Sequence, residues 1–563
     1  MSATSKPVES ITIVGGGTAG WLAANLLSNY LGTGDDDGTN CRITLIESPN
    51  IATVGVGEAT VPAMPRMLRQ TGISEREFFK ATNASFKLGV RFANWNHDAA
   101  GKPIDYINPF IGSRDIDGIP LEHYFHTFGA GGMNYVQAIS ATHQLGELCK
   151  GPRALGKKEF EKGSTPYAYH LDAGKFAGML QEVCVKRGVN HVRDDVVDVE
   201  LDEKGFVAAL QLKEGGRHPV QLVIDCTGFR GLIINQALKE PFVDYQKYLA
   251  NDRAMAVQIP HPNKEKLLPL TCSTALGAGW VWRVPLWNRI GTGYVFSSAH
   301  RTDEQARDEL MAHLGDGAKG LEPRVIPMRI GRTRNSWVKN CVAIGLSAGF
   351  IEPLESTAIH MTEMAIRWLL TYFPDQEFSA PKRDRYNKLA NNLYDEVRDF
   401  ICIHYALGNR TDDQYWIDAR ESLEVPDSLA ENLELWKYNL PAVDDVGQFN
   451  LFSPGTYRAV LFGKKVYENG YGGGRISGGI ALDADKWDAY LAGLRKAVGA
   501  ITRDMADHRT LLAELRGELK AAPAQPWALT GGKGPTVQVP GAAKMPRFKV
   551  PDFVVGDADN AIL

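Results

Sequence analysis

Nowhere in the 563 residues do about eighteen apolar side chains run together, so no membrane-spanning helix is expected. Nor is there a basic excess: 62 Lys and Arg face 66 Asp and Glu, a net charge of −4, which argues against nucleic acid or an anionic membrane as a main partner. The seven cysteines, Cys41, Cys149, Cys184, Cys226, Cys272, Cys341 and Cys402, stand singly. Without the close pairs of a zinc site or a disulfide framework, reduced thiols and a cytoplasmic setting are expected. The Met-Ser-Ala-Thr-Ser-Lys start lacks the charged, apolar and cleavable pattern of a secretory signal. No internal repeat is visible. What remains, 44% hydrophobic and 23% charged residues over a length exceeding one core, describes a globular, enzyme-sized protein of two or three subdomains around a shared site.

Ile11-Thr12-Ile13-Val14 reads as a short buried strand. Gly15, Gly17 and Gly20 then complete a G-x-G-x-x-G run ahead of a helical pattern through Trp21, Leu22, Leu26 and Leu27. Glycines at this spacing allow a tight turn, close approach of a pyrophosphate, and close packing of helix on strand. A second strand, Arg42 to Ile46, ends at Glu47, where a ribose hydroxyl needs an acceptor, and the acidic loop Asp35 to Asp37 lengthens the spacing between them. The combination predicts a bound dinucleotide; a plain glycine-rich turn is the alternative.

Residues 63–83 read as helical, with Ser74 and Glu77 in a capping-box relation. Residues 85–92 alternate so that Leu88, Val90 and Phe92 share one strand face and Lys87 takes the other, which on that pattern alone makes Lys87 a solvated strand lysine. Residues 196–226 alternate like hairpin strands and end at Asp225-Cys226-Thr227-Gly228. A further strand, Cys341 to Ile344, precedes Glu352-Pro353-Leu354-Glu355-Ser356-Thr357 and a helix read from Ile359, Ile366, Leu369 and Leu370. Ser356 or Thr357 fits an ordinary helix cap; the unpaired N–H groups of the helix start equally fit a small anion such as a halide. Trp280 and Trp282, two apart in an extended segment, project to one side as a rigid wall or as a pair of core aromatics. Residues 384–406 and 484–518 read as amphipathic helices, and from Ala521 onward Pro, Gly and Ala dominate.

From about residue 10 to 520 the chain resembles the flavin-dependent halogenases, in particular the tryptophan and indole halogenase family. The resemblance rests on Gly15-Gly16-Gly17-Thr18-Ala19-Gly20-Trp21, Val56-Gly57-Glu58-Ala59-Thr60, Asn83-Ala84-Ser85-Phe86-Lys87, Trp280-x-Trp282-x-x-Pro285 and Glu352-Pro353-Leu354-Glu355-Ser356-Thr357. It implies an α/β fold. An FAD-binding, doubly wound domain of the flavin monooxygenase type is drawn from residues 8–110, 165–240 and 325–375. A mostly helical substrate-binding subdomain is drawn from 111–164, 241–324 and 376–520, with an extended tail over 521–563.

The resemblance also assigns roles. Lys87 matches the lysine that holds, or is modified by, hypohalous acid, and Glu355 the carboxylate that stabilises the cationic arene and helps remove its proton. Ser356, Thr357 and Ala358 match the halide end of the helix, where many relatives have glycine in place of Ala358. Cofactor contacts are implied for Gly15, Gly17, Thr18, Ala19, Gly20, Glu47, Ala59, Val196, Leu346 and Ile359. Substrate contacts are implied for His126, Phe128, Trp280, Trp282 and Phe452. The Phe-Trp pair of tryptophan halogenases is replaced here by Asn450-Leu451-Phe452-Ser453, which favours indole or another electron-rich arene over free tryptophan. Non-covalent FAD used as FADH2, chloride or bromide as co-substrate and a separate flavin reductase are implied; a homodimer is considered. A flavin hydroxylase of the same fold and a catalytically silent flavin-binding protein stay open as alternatives, although hydroxylases usually carry Gly-Asp where this chain has Gly345-Leu346.

Overall fold

The expected first strand, Ser10–Val14, lies near the middle of a six-stranded sheet, because every side chain from Ile11 to Val14 is buried and both its edges are paired. The sheet order is Asn190–Arg193, Arg42–Glu47, Ser10–Val14, Leu222–Asp225, Cys341–Ala343 and Trp337–Val338. All neighbours are parallel except the last pair. Parallel strands need covered faces, and helix Thr18–Leu31 packs against Ala173–Lys186 and Ala358–Thr371 to supply cover. This computed structural model describes residues 6–33, 41–51, 57–110, 114–159, 164–447, 451–467 and 479–519. The Asp35 to Asp37 loop, Val56, Asn450 and the segment from Ala521 onward lie outside the described residues.

Two further sheets position the site. A three-stranded antiparallel sheet sets Ala168–Asp172 between Gly57–Ala59 and Ser85–Lys87. A seven-stranded sheet runs Arg324–Pro327, Arg253–Ile259, Ile290–Phe296, Gly279–Pro285, Thr271–Ala275, Gly89–His97 and Pro103–Pro109, and draws on both expected subdomains. The C-terminal part is helical, led by the 27-residue helix Ala380–Ala406. No helix among the described residues is long and apolar enough to cross a membrane.

Several boundaries differ from the sequence reading. The helical stretch 63–83 is two helices, Ala63–Gln70 and Glu75–Thr82, divided where Gly72 takes φ +73; the Ser74/Glu77 capping box starts the second. The stretch 484–518 likewise divides into Ala484–Asp504 and His508–Arg516, the latter capped by Asp507. Residues 85–92 are not one strand: Ser85–Lys87 and Gly89–His97 belong to different sheets, and the Leu88 N–H between them donates to the Pro269 carbonyl at 2.7 Å. Lys87 is therefore not a solvated strand lysine. It is fully buried, because the side of the strand facing away from Leu88 is covered by chain from residues 60 and 110.

Candidate active site

Lys87 ends its strand with Nζ donating to the Thr60 main-chain carbonyl at 3.0 Å and standing 5.3 Å from the centre of the Phe110 ring. Burial lowers its pKa from 10.5 to about 7, against the opposing pull of the Glu355 carboxylate. The strand is pinned from both sides. Phe86 N–H donates to His508 Nε2 at 3.0 Å, and His508 Nδ1–H donates to the Leu267 carbonyl at 2.9 Å, which fixes a neutral ring. Ser85 Oγ lies 3.2 Å from His170 Nδ1. Burial, then the Lys87 charge, lowers the His170 pKa well below its usual value.

Glu355 ends a short 3₁₀ turn, Pro353–Glu355, and is buried. Its Oε1 accepts from Asn108 Nδ2 at 3.1 Å. Asn108 lies at the end of strand Pro103–Pro109 and Phe110 just beyond it, so the groups facing Glu355 and Lys87 come from the same few residues of chain. His404, from the middle of the apolar run 400–405, brings Nε2 within 3.2 Å of Glu355 Oε1, without the alignment of a hydrogen bond. Its Nδ1 lies 3.2 Å from Tyr106 Oη and its ring stacks on Phe92. Burial lowers the His404 pKa, with Glu355 acting in the other direction. With the Tyr106 hydroxyl donating to Nδ1, the proton of the neutral ring sits on Nε2, facing the carboxylate.

Neither Ser356 nor Thr357 caps the following helix: Thr357 holds the capping position but its side chain makes no capping bond. Ser356 adopts a left-handed conformation at φ +64, an arrangement uncommon outside glycine and found at ligand sites. Ala358 is exposed at the helix start and Ile359 is buried behind it.

The glycine loop fits a dinucleotide. Gly15 takes φ +115, and a Cβ on Gly20 would stand 1.8 Å from the Gly15 carbonyl oxygen. Gly17 heads the helix carrying Thr18 and Ala19 without a side-chain cap, leaving N–H groups available to a phosphate. Ala19 packs on the turn Gly345–Ser347, which exposes Leu346. Glu47 closes the next strand, accepts from His191 Nε2 at 2.8 Å and lies over Gly16. Val196 begins the antiparallel meander just after Asp194, whose N–H bonds the Glu47 carbonyl. Ala59 sits in the same small sheet as Lys87, each paired to the strand Ala168–Asp172. No cluster of side chains among the described residues has the makings of a metal site.

The aromatic residues fall into three sets. Trp280 is buried and Trp282 half-buried, their rings 6.5 Å apart at 65°, and the Trp282 ring lies over Gly293, where a Cβ would come within 2.2 Å. Phe452 stacks on Phe400 at 3.8 Å, and Phe400 meets His404, so this ring connects with the Glu355 surroundings. His126 and the exposed Phe128 lie on helix Leu121–Phe128, where their rings meet Tyr467 and Tyr124.

Sequence reading missed His404, His508 and Glu352 as members of this neighbourhood, and also the fully buried Lys464, whose Nζ stands 5.8 Å from the centre of the Trp95 ring. A titratable residue inside an apolar run, as in Phe400-Ile401-Cys402-Ile403-His404, was the available signal.

A family model described as tryptophan halogenase matches residues 10–472. The 7-chloro-L-tryptophan 6-halogenase KtzR of Kutzneria sp. (strain 744) is 36% identical over 534 residues, covering 90% of this chain and 99% of that protein. Tryptophan 6-halogenase SttH of Streptomyces toxytricini is 38% identical over 476 residues, covering 81% of this chain and 89% of that protein. Among solved structures, BrvH, a flavin-dependent halogenase from Brevundimonas sp. BAL3, matches with a TM-score of 0.80 at 37% identity, covering 90% of this chain and 99% of its own.

Proposed function

This chain belongs to the tryptophan halogenase family of flavin-dependent enzymes, and on that premise we propose that it chlorinates or brominates indole or a related electron-rich arene at a site built on Lys87 and Glu355. Bound FAD, arriving reduced from a separate reductase, supplies with O2 the two-electron oxidation of halide to hypohalous acid. In sum, arene C–H, halide, O2, reduced flavin and one proton give arene C–X, oxidised flavin and two waters.

The protein's own contribution begins at the glycine loop, where Gly15, Gly17, Thr18, Ala19, Gly20 and Glu47 would hold the dinucleotide, with Ala59, Val196, Leu346 and Ile359 completing the contacts. Ser356, Thr357 and Ala358 would receive the halide at a helix start that has no side-chain cap. Lys87 then holds the hypohalous acid through its ammonium, or as a neutral amine takes the halogen and releases water. A buried amine close to neutrality at pH 7 suits either role. As the arene attacks, the carbon–halogen bond forms while the halogen's bond to oxygen or nitrogen breaks. Glu355, which accepts from Asn108 and has the His404 ring beside it, stabilises the cationic ring and accepts the proton from the halogenated carbon. Trp280, Trp282, His126, Phe128 and Phe452 would supply the aromatic slot, whose shape decides which ring carbon meets Lys87.

The observation that carries this reading is a buried amine and a buried carboxylate served by one stretch of chain, Lys87 beside the Phe110 ring and Glu355 bonded to Asn108. The test is product mass. With FAD, a reductase, O2 and bromide, an indole, tryptophan and phenol panel is expected to give brominated indole with its paired isotope peaks. A gain of one oxygen instead identifies a hydroxylase, and tight flavin binding with no product from any arene identifies a silent binding protein.

A further inference from the structure

Glu352 precedes the turn that presents Glu355, and its carboxylate is buried to 1% exposure. One oxygen does all its bonding. Oε2 accepts from Trp280 Nε1 at 2.8 Å, from Tyr405 Oη at 2.7 Å and from Asn251 Nδ2 at 3.0 Å. Oε1 has no hydrogen-bond partner among the described residues. An indole N–H and an amide N–H can only donate, so Oε2 is held as an acceptor whatever the charge on the acid. The donors are themselves fixed: Asn251 Oδ1 accepts from Tyr415 Oη at 3.0 Å, and Tyr405 belongs to helix Ala380–Ala406.

Two consequences of place follow. Tyr405 is the helix neighbour of His404, so adjacent residues of one helix face the acids at the two ends of the turn, Tyr405 bonding Glu352 and His404 lying against Glu355. Trp280 is likewise held by its only polar atom, with its ring between Trp95 and Trp282. A tryptophan partition and the proton-accepting turn therefore share one oxygen atom.

We propose that Glu352 is a positioning residue which fixes the Trp280 partition and the Glu355 turn in a single register, so that oxidised halide reaches Lys87 and the arene instead of escaping. This rests on the halogenase reading above. Loss of the acceptor strands the buried Trp280 N–H and Tyr405 hydroxyl, leaves Asn251 Nδ2 only the Tyr405 oxygen and frees the indole to turn, while the glycine loop and Glu47, which would hold the dinucleotide, are untouched.

The full-length protein with FAD and a reductase tests this through coupling: halogenated indole formed per reduced flavin consumed, alongside halogenation of monochlorodimedone, a scavenger of free hypohalous acid. Glu352→Ala is expected to lower product per flavin at least tenfold, with scavenger halogenation rising and flavin affinity unchanged. Glu352→Gln, whose amide oxygen accepts from the same three donors, is expected to restore coupling to within about threefold of the unsubstituted chain. Trp280→Phe keeps a ring but removes the N–H and is expected to leak in the same way, so it carries the test if Glu352→Ala does not fold. Unchanged coupling in Glu352→Ala or in Trp280→Phe overturns the proposal, as does product loss in Glu352→Ala without a rise in scavenger halogenation. If the unsubstituted chain halogenates no arene, the functional reading itself falls, and this inference with it; product from that chain with coupling unmoved by the substitutions refutes this inference alone.

Discussion

Replacing Lys87 by methionine should make the protein inactive and, at neutral pH, more stable. The amine's pKa falls from 10.5 to about 7 because burial disfavours its charged form. Between those values the unfolded chain carries a proton that the folded chain does not, so stability rises with pH across that window and is lowest at and below its lower edge. The roughly 3.5 decades of lost proton affinity correspond to ~5 kcal/mol of penalty at pH 7. Removing the amine lifts that penalty but leaves the Thr60 carbonyl without its donor, a cost of about 1–3 kcal/mol. Lys87→Met should therefore gain about 2–4 kcal/mol in urea unfolding at pH 7. The more discriminating quantity is the change of that gain with pH, since the Thr60 cost is the same throughout. Raising the pH to 9.5 should shrink the gain by roughly 3 kcal/mol, while product stays undetectable at both values. Parallel pH–stability curves for the two proteins would refute the claim that Lys87 is held by burial near neutrality.

Other substitutions probe the remaining parts. Glu355→Gln preserves shape but cannot accept a proton, and should lower the single-turnover halogenation rate by about 10²-fold or more without altering flavin affinity. His508→Ala removes the acceptor of the Phe86 N–H and should cost about 2 kcal/mol in urea unfolding, with a larger loss of halogenation than of flavin binding, since it loosens the strand that ends at Lys87. Gly20→Val places a side chain where even a Cβ would stand 1.8 Å from the Gly15 carbonyl, and should abolish FAD binding by fluorescence titration.

The strand–glycine loop–helix unit was legible in the sequence because its determinants are local: a strand, three glycines and a helix occupy consecutive residues, and the structure forms those elements there. The capping box at Ser74 was readable for the same reason. The alternation pattern taken alone misplaced Lys87 in solvent, because alternation reports which residues share a face, not what covers it; the cover here comes from Thr60 and Phe110, each the residue just after another strand. Pattern reading also merged residues 85–92 into one strand, since nothing local announces that Leu88 bonds Pro269 and hands the chain to a second sheet. Glu355 was singled out through its motif, whereas His404 was hidden in a helix read only for its apolar stripe. Its partner lies 49 positions earlier, a pairing that helical periodicity cannot encode.

The ammonium of Lys87 rests on a main-chain oxygen, an acceptor that every amino acid supplies. Mutational drift at position 60 can therefore change the bulk beside the amine but cannot delete its anchor. On the proposed function, the placement of the lysine is in this way insulated from side-chain change at position 60, so directed evolution for new substrates is free to work on pocket residues outside the Trp280–Glu352 contact.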